Sequence, residues 1–203
     1  MSARLVHRII GIVLLLPLLG WAATGAIFFI KPGYGGAYEQ LQVKTYPLDA
    51  GNPIRPQEGW REARMVRTVL GTHLLARTDA GWVNVDPWSM HPAPIPGGDA
   101  MMRLLQDAFT ANPDRYGKIV KLVDRTATTD TGVEVVLDWN RMSLQQYGRD
   151  TARVDAIYRI HYLQWTGNKT ADKFVGAAGL TLLVTLTWLG LRLAVDTSQR
   201  RKP

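Results

Sequence analysis

Two uncharged apolar blocks, one near each end of the chain, constrain its fold more than any other feature. Residues 9–30 run 22 positions without a charge, and residues 174–191 run 18. As helices these blocks measure about 33 Å and about 27 Å, against a bilayer hydrocarbon core of about 30 Å. Arg192 can snorkel outward and lengthen the second. The sequence therefore predicts transmembrane helices over 9–30 and 174–195, with a polar domain over 31–173 between them. Mean hydropathy near zero is an average over these unlike parts and does not argue for a soluble protein.

The charges follow the same division. The formal net charge is +7, yet residues 31–173 hold 18 basic and 16 acidic side chains, while the short ends hold six basic and one acidic. Arg4, Arg8, Arg192, Arg200, Arg201 and Lys202 flank the apolar blocks, and basic flanks mark the cytoplasmic side of a span. The expected arrangement has a cytoplasmic N-terminus over 1–8 and a cytoplasmic basic tail over 196–203. Both blocks are expected to touch lipid. The nearly balanced middle has no basic stripe, so nucleic acid is not an expected partner. The chain has no cysteine, which excludes disulfides, thiolate zinc, iron–sulfur clusters and C-x-x-C-H haem attachment.

The first block has the charged start and small residues (Ala22 to Ala26) of a secretory signal. It continues through Ile27, Phe28, Phe29 and Ile30, which favours an uncleaved anchor. Gly11, Gly20 and Gly25 on this block, with Gly176, Ala177, Ala178 and Gly179 on the second, offer small faces for helix contact within the chain or between chains.

The middle reads as α+β. Alternation predicts a strand from Tyr38 to Tyr46, followed by a Pro/Gly-rich connection through Gly51 and Pro53. A second strand is predicted over 63–70, and 72–77 with 81–85 read as a hairpin turned at Asp79-Ala80-Gly81. Asp99 is expected to cap a helix to about Ala111, with Met102, Leu105 and Phe109 at helical spacing and Pro113 as its stop. Strands over 118–123 and 133–139 would be joined by a turn at 128–132. Before the second span, Val154, Ile157, Tyr158, His161 and Trp165 share one helical face, Asp150 or Thr151 can cap it, and Asp155 and Arg159 stand four apart. Gly167-Asn168 would end that helix and Thr170 cap the next.

The segments RLVHRIIGIVLLLPLLGWAATGAIFF, GWVNVDPWSMHP and RDTARVDAIYRIHYLQWTG, the last followed by a span, resemble PepSY-domain membrane proteins. The resemblance covers nearly the whole chain. It implies a bacterial inner-membrane protein with an antiparallel-sheet PepSY-like domain in the periplasm between two transmembrane helices. PepSY modules are associated with binding and inhibiting partner proteins. Larger relatives with four or more helices include ferric-siderophore reductases that carry electrons through haem.

Several side chains are candidates for chemistry. His7 and His161 are candidate haem ligands, since imidazole is a standard axial ligand, but the expected topology puts them at opposite faces of the bilayer. They cannot form one intrachain pair. His73, His91 and Met90, with Met101 and Met102, are of types that suit copper, though the last two read better as helix core. No nucleophile elbow, H-E-x-x-H or phosphate loop is present. Asp138, Arg141, Arg149, Asp150, Arg153 and Asp155 crowd the start of the last polar helix. There Asp150, Arg153, Asp155, Tyr158, Tyr162 and Trp165 form the candidate partner surface or membrane-interface belt. The sequence reading is thus a membrane-anchored binding or accessory module acting through another membrane or periplasmic protein, and the alternative is a haem-binding subunit of a ferric reductase.

Overall fold

The computed structural model describes residues 2–49 and 54–199. Gly51, Pro53 and the tail cations Arg200, Arg201 and Lys202 lie outside the described residues. Two compact units divide the chain: one from Met1–Tyr34 with Ala152–Pro203, the other from Gly35–Thr151. Relative to the polar domain expected over 31–173, the last polar helix from Ala152 onward groups with the apolar helices.

In the first unit, α1 (Ala3–Ile30) and α6 (Lys169–Gln199) are both long and apolar enough to cross a membrane. Only 11% of each apolar window is buried, so these are not core helices of a globular fold. Leu16 and Val184 are each 69% exposed, and side chains of that kind call for apolar surroundings. Ser2 caps α1, Lys31 ends it in the left-handed region, and a single helical turn, α2 (Tyr34–Ala37), follows in the chain. Asn168, not Thr170, caps α6, because its Oδ1 accepts the N–H groups of Thr170 and Ala171. The hydroxyls of Thr181, Thr185 and Thr187 each donate to the carbonyl four residues back, so these polar groups are satisfied inside an apolar helix.

The second unit holds two antiparallel sheets. The first is β1 (Glu62–Thr68), β2 (Gly71–Thr78) and β3 (Gly81–Val85), in that order. The hairpin closes at Thr78 and Gly81, as its turn residues predict. The second sheet runs β4 (Ile119–Val123), β5 (Thr126–Thr129), β6 (Glu134–Asp138) and β7 (Ser143–Tyr147). Two of its strands, β5 and β7, are not predicted. The supposed turn at 128–132 begins inside β5, which pairs with β4 on one side and β6 on the other.

Between the sheets in sequence come α3 (Gly98–Phe109) and α4 (Pro113–Tyr116). Gly97 is the N-cap of α3. Asp99 sits in the first turn instead, where its charge suits the helix dipole. Met101, Leu104, Leu105, Ala108 and Phe109 bury one face of α3 in a core shared with Leu75, Val135, Leu137 and Trp139. Leu41 and Val43 enter the same core while Gln42 and Lys44 face out. Their alternation is real, yet 38–46 is not a strand. It makes one bridge to each sheet, Gln42 to Ser143 and Tyr46 to Arg67, and no ladder.

Candidate functional site

The final polar helix, α5 (Arg149–His161), starts in the second unit and ends in the first. It stops four residues before Trp165, because Leu163 takes the left-handed conformation (φ 55°) and turns the chain. At its start the Gly148 N–H donates to Thr151 Oγ1, the return half of a capping box. Asp150 faces another partner, Arg115 of α4.

Arg115 is the hub of a half-buried network. Its Nη1 and Nη2 both donate to Asp150, and its Nε donates to Gln146 Oε1 at 3.0 Å. Glu39 lies 3.9 Å away and accepts from Asn112 Nδ2 at 2.8 Å. Tyr116 donates to the same Gln146 oxygen, and Gln146 Nε2 donates to the Glu39 carbonyl. Burial alone would raise the Asp150 carboxyl. The hydrogen bonds from Arg115 and from the Thr151 N–H outweigh it and hold the group below the usual carboxylate range. Burial and then the Glu39 charge push the Tyr116 phenol up to about 12. Gly36 closes against this pair, since a methyl group there would stand 2.5 Å from both Arg115 Nη1 and Asp150 Oδ2.

The same unit contains an open cleft of about 630 Å³. Every residue of β7 lines it, as does every residue of 37–43, while β1 contributes only Arg64, Val66 and Thr68. Successive strand residues point to opposite faces, so an unbroken run marks a strand seen edge-on and an alternating set marks a face. The cleft is thus a gap between the edge of β7 and the 37–43 segment, over the inner face of β1. Arg64 is held at its mouth, with the guanidinium 4.8 Å from the Trp82 ring centroid and Nη2 donating to the Arg141 carbonyl at 3.0 Å.

In the first unit, His161 ends α5 among aromatic rings. The Thr24 hydroxyl donates to the Gly20 carbonyl at 2.6 Å and lies 2.9 Å from His161 Nδ1. With that single hydroxyl proton directed to Gly20, the Thr24 oxygen is placed to accept from Nδ1. Trp21 donates to the His161 carbonyl at 2.7 Å, and Phe28 stands edge-on to the imidazole. Phe28 also meets Tyr158, which stacks on Tyr162. His7 lies 17 residues before Thr24, about 25 Å along α1. A methyl group on Gly190 of α6 would approach its Nε2 to 3.2 Å. One haem cannot bridge these two histidines.

The other candidates separate. His73 is buried on the inner face of the first sheet against Thr68 and Trp139, whereas Met90 packs with Leu74, Ala76 and Val85 on the opposite face. His91 is exposed and turns its Nδ1 to the Ser89 carbonyl. Met101 is core. Among the described residues no three His, Cys, Asp or Glu side chains gather as metal ligands. Arg153 and Asp155 are exposed and, among the described residues, form no ion pair; the expected Asp155–Arg159 pair is not made. Trp165 is 50% exposed.

His73 gives the second unit a pH response. Burial holds its pKa below the ordinary histidine value, with Asn84 pulling weakly the other way. The folded state therefore resists the proton that the unfolded state accepts. Its contribution to stability is full above the unfolded pKa of about 6.5 and is lost as pH falls below that value toward the depressed folded one. His73→Gln is expected to flatten the stability profile of this unit between pH 7 and 5, read as urea midpoints at each pH.

No family model, curated protein or solved structure matches the chain.

Proposed function

We propose that this chain is a bacterial inner-membrane protein, with both termini cytoplasmic, whose Gly35–Thr151 unit is a PepSY-like periplasmic module that binds another polypeptide. The two apolar helices and the basic ends favour the membrane placement. The cleft along the outer edge of β7 carries the binding role, since such a strand edge is what an extended polypeptide recognises. In this reading α1 and α6 hold the module at the membrane, and the chain serves as an auxiliary component of a larger assembly.

The test is a photo-crosslinking amino acid placed at Gln145, in the cleft, or at Lys121 on β4, in cells. A discrete polypeptide adduct from Gln145 and none from Lys121 is the expected result. Equal labelling at both sites, or none at either, removes the reading.

His161 favours a second reading, a haem-binding subunit. Fixing one imidazole nitrogen by an outer hydrogen bond is how ligating histidines are held. The chain's own residues supply one such ligand, and the second would come from another subunit. A Soret band in the detergent-purified protein, lost in His161→Ala, would establish it; a colourless protein purified with its partners would end it.

A further inference from the structure

The cleft also indicates what kind of polypeptide it takes, an inference that rests on the binding-module reading above. β7 is the outer strand of the second sheet, since its inner neighbour is β6 and nothing else in the sheet flanks it. On its open side it meets the 37–43 segment at a single bridge, Gln42 to Ser143. An antiparallel ladder would continue from there toward Gln40 with Gln145 and Tyr38 with Tyr147. It does not. Instead the Gln146 amide spans the space to the Glu39 carbonyl while its oxygen takes protons from Arg115 and Tyr116. A side chain thus stands where backbone bonds would be, and the two edges remain parted.

The two ends of this gap differ in chemistry. At the start of β7 lie Arg64 and Arg141. Among the described residues no carboxylate is within ion-pair distance of Arg64, and Arg141 has only Asp138 at 3.9 Å. Two neighbouring cations so weakly neutralised favour an anion. The Arg64 guanidinium is already positioned by Trp82 and the Arg141 carbonyl, with most of its five donors unused. At the far end, Tyr147 and Tyr38 line the cleft and are 53% and 54% exposed. Four strand steps separate Ser143 from Tyr147, about 13 Å, and residues four apart on a strand point the same way.

We propose that the cleft binds an extended acidic peptide segment by strand addition at the β7 edge, where the peptide replaces the Gln42–Ser143 bridge and the Gln146–Glu39 hydrogen bond. A carboxylate side chain sits on Arg64 and Arg141, and an apolar side chain four residues away rests on Tyr38 and Tyr147. The backbone edge supplies affinity, and the arginine pair selects the register and the charge.

The probe is a fluorescent heptapeptide, acetylated and amidated, of alternating threonine and valine with glutamate second and leucine sixth. It is titrated against the full chain in detergent. Replacing its glutamate by glutamine is expected to weaken binding about tenfold, and alternate backbone N-methylation to abolish it. The Arg64→Gln/Arg141→Gln double variant should lose about tenfold for the glutamate probe and nothing for the glutamine probe. Added salt should weaken only the glutamate probe. Equal binding of glutamate and glutamine probes, or unimpaired binding of the N-methylated one, overturns the proposal; both arms use the unaltered chain. If no probe binds while Gln145 still crosslinks a polypeptide, the binding-module reading stands and this ligand chemistry falls. If Gln145 captures nothing either, both fall.

Discussion

Replacing Arg115 by methionine is expected to destabilise the Gly35–Thr151 unit by about 3 kcal/mol at pH 7, the low end of the cost of removing one partner from a buried ion pair. Asp150 and Glu39 would be left close together, each about one-quarter exposed, without the cation that both face. The Gln146 oxygen would also lose one of its two donors. With a urea slope of about 1.5 kcal/mol per molar, the midpoint should fall by about 2 M. Hydrogen-exchange protection of the α3 and β6 amides in the detergent-solubilised chain reports this unit separately from the apolar helices. The pH dependence identifies the cause. In the wild type, Asp150 contributes stability above the ordinary carboxylate pKa of about 3.9, and that contribution fades as pH drops through its depressed folded value. Without Arg115, burial is the main influence left and raises the Asp150 pKa. The variant's deficit should therefore shrink toward pH 4, where a neutral Asp150 no longer needs a cation. Asp150→Asn should cost less, because Arg115 keeps Gln146 and Glu39. A deficit independent of pH would mean that Arg115 acts through packing alone.

That hub was invisible in the sequence for a physical reason. Arg115 lies in NPDRYG, a loop-like string, and its partner Asp150 is 35 residues away. Periodicity reports on local faces, not on which distant charges a fold will bring together. The same limit applies to His161, whose partner Thr24 is 137 residues off. Local pattern does carry both apolar helices, the hairpin at Asp79-Ala80 and, on α3, the core positions Leu105 and Phe109; Met102 is only half-buried, and Met101 takes its place in the core. β7 escaped because Ser143, Gln145 and Gln146 border a cleft and a polar network, so Leu144 and Tyr147, three positions apart, give no alternation. The 38–46 segment failed in the opposite way. Its alternation reflects real burial of Leu41 and Val43, but its two bridges go to different sheets. Both misreadings fall at the cleft, where the local pattern answers to a gap and not to a packed sheet.

Gly117→Ala is expected to be comparably severe, about 3 kcal/mol, and to act on the same region. Gly117 follows α4 at φ 55° and ψ −131°, a conformation in which an L side chain is strained whatever the space around it. The space is also occupied, since a methyl group there would collide with the Asp130 carboxylate. Asp130 accepts the Lys118 N–H at 2.9 Å, and its neighbour Thr131 donates to the Arg115 carbonyl at 2.6 Å. These bonds tie the β5–β6 turn to the residues that hold Arg115 in place. Relieving the collision by moving Asp130 would loosen that tie, and relieving it by moving the backbone would swing Arg115 away from Asp150. The two substitutions should therefore couple. Gly117→Ala in the Arg115→Met background should add well under its own 3 kcal/mol, because part of its effect is loss of an ion pair that is already gone. Strict additivity in the urea midpoints would show instead that the strain at Gly117 is local, and that the turn does not position the arginine.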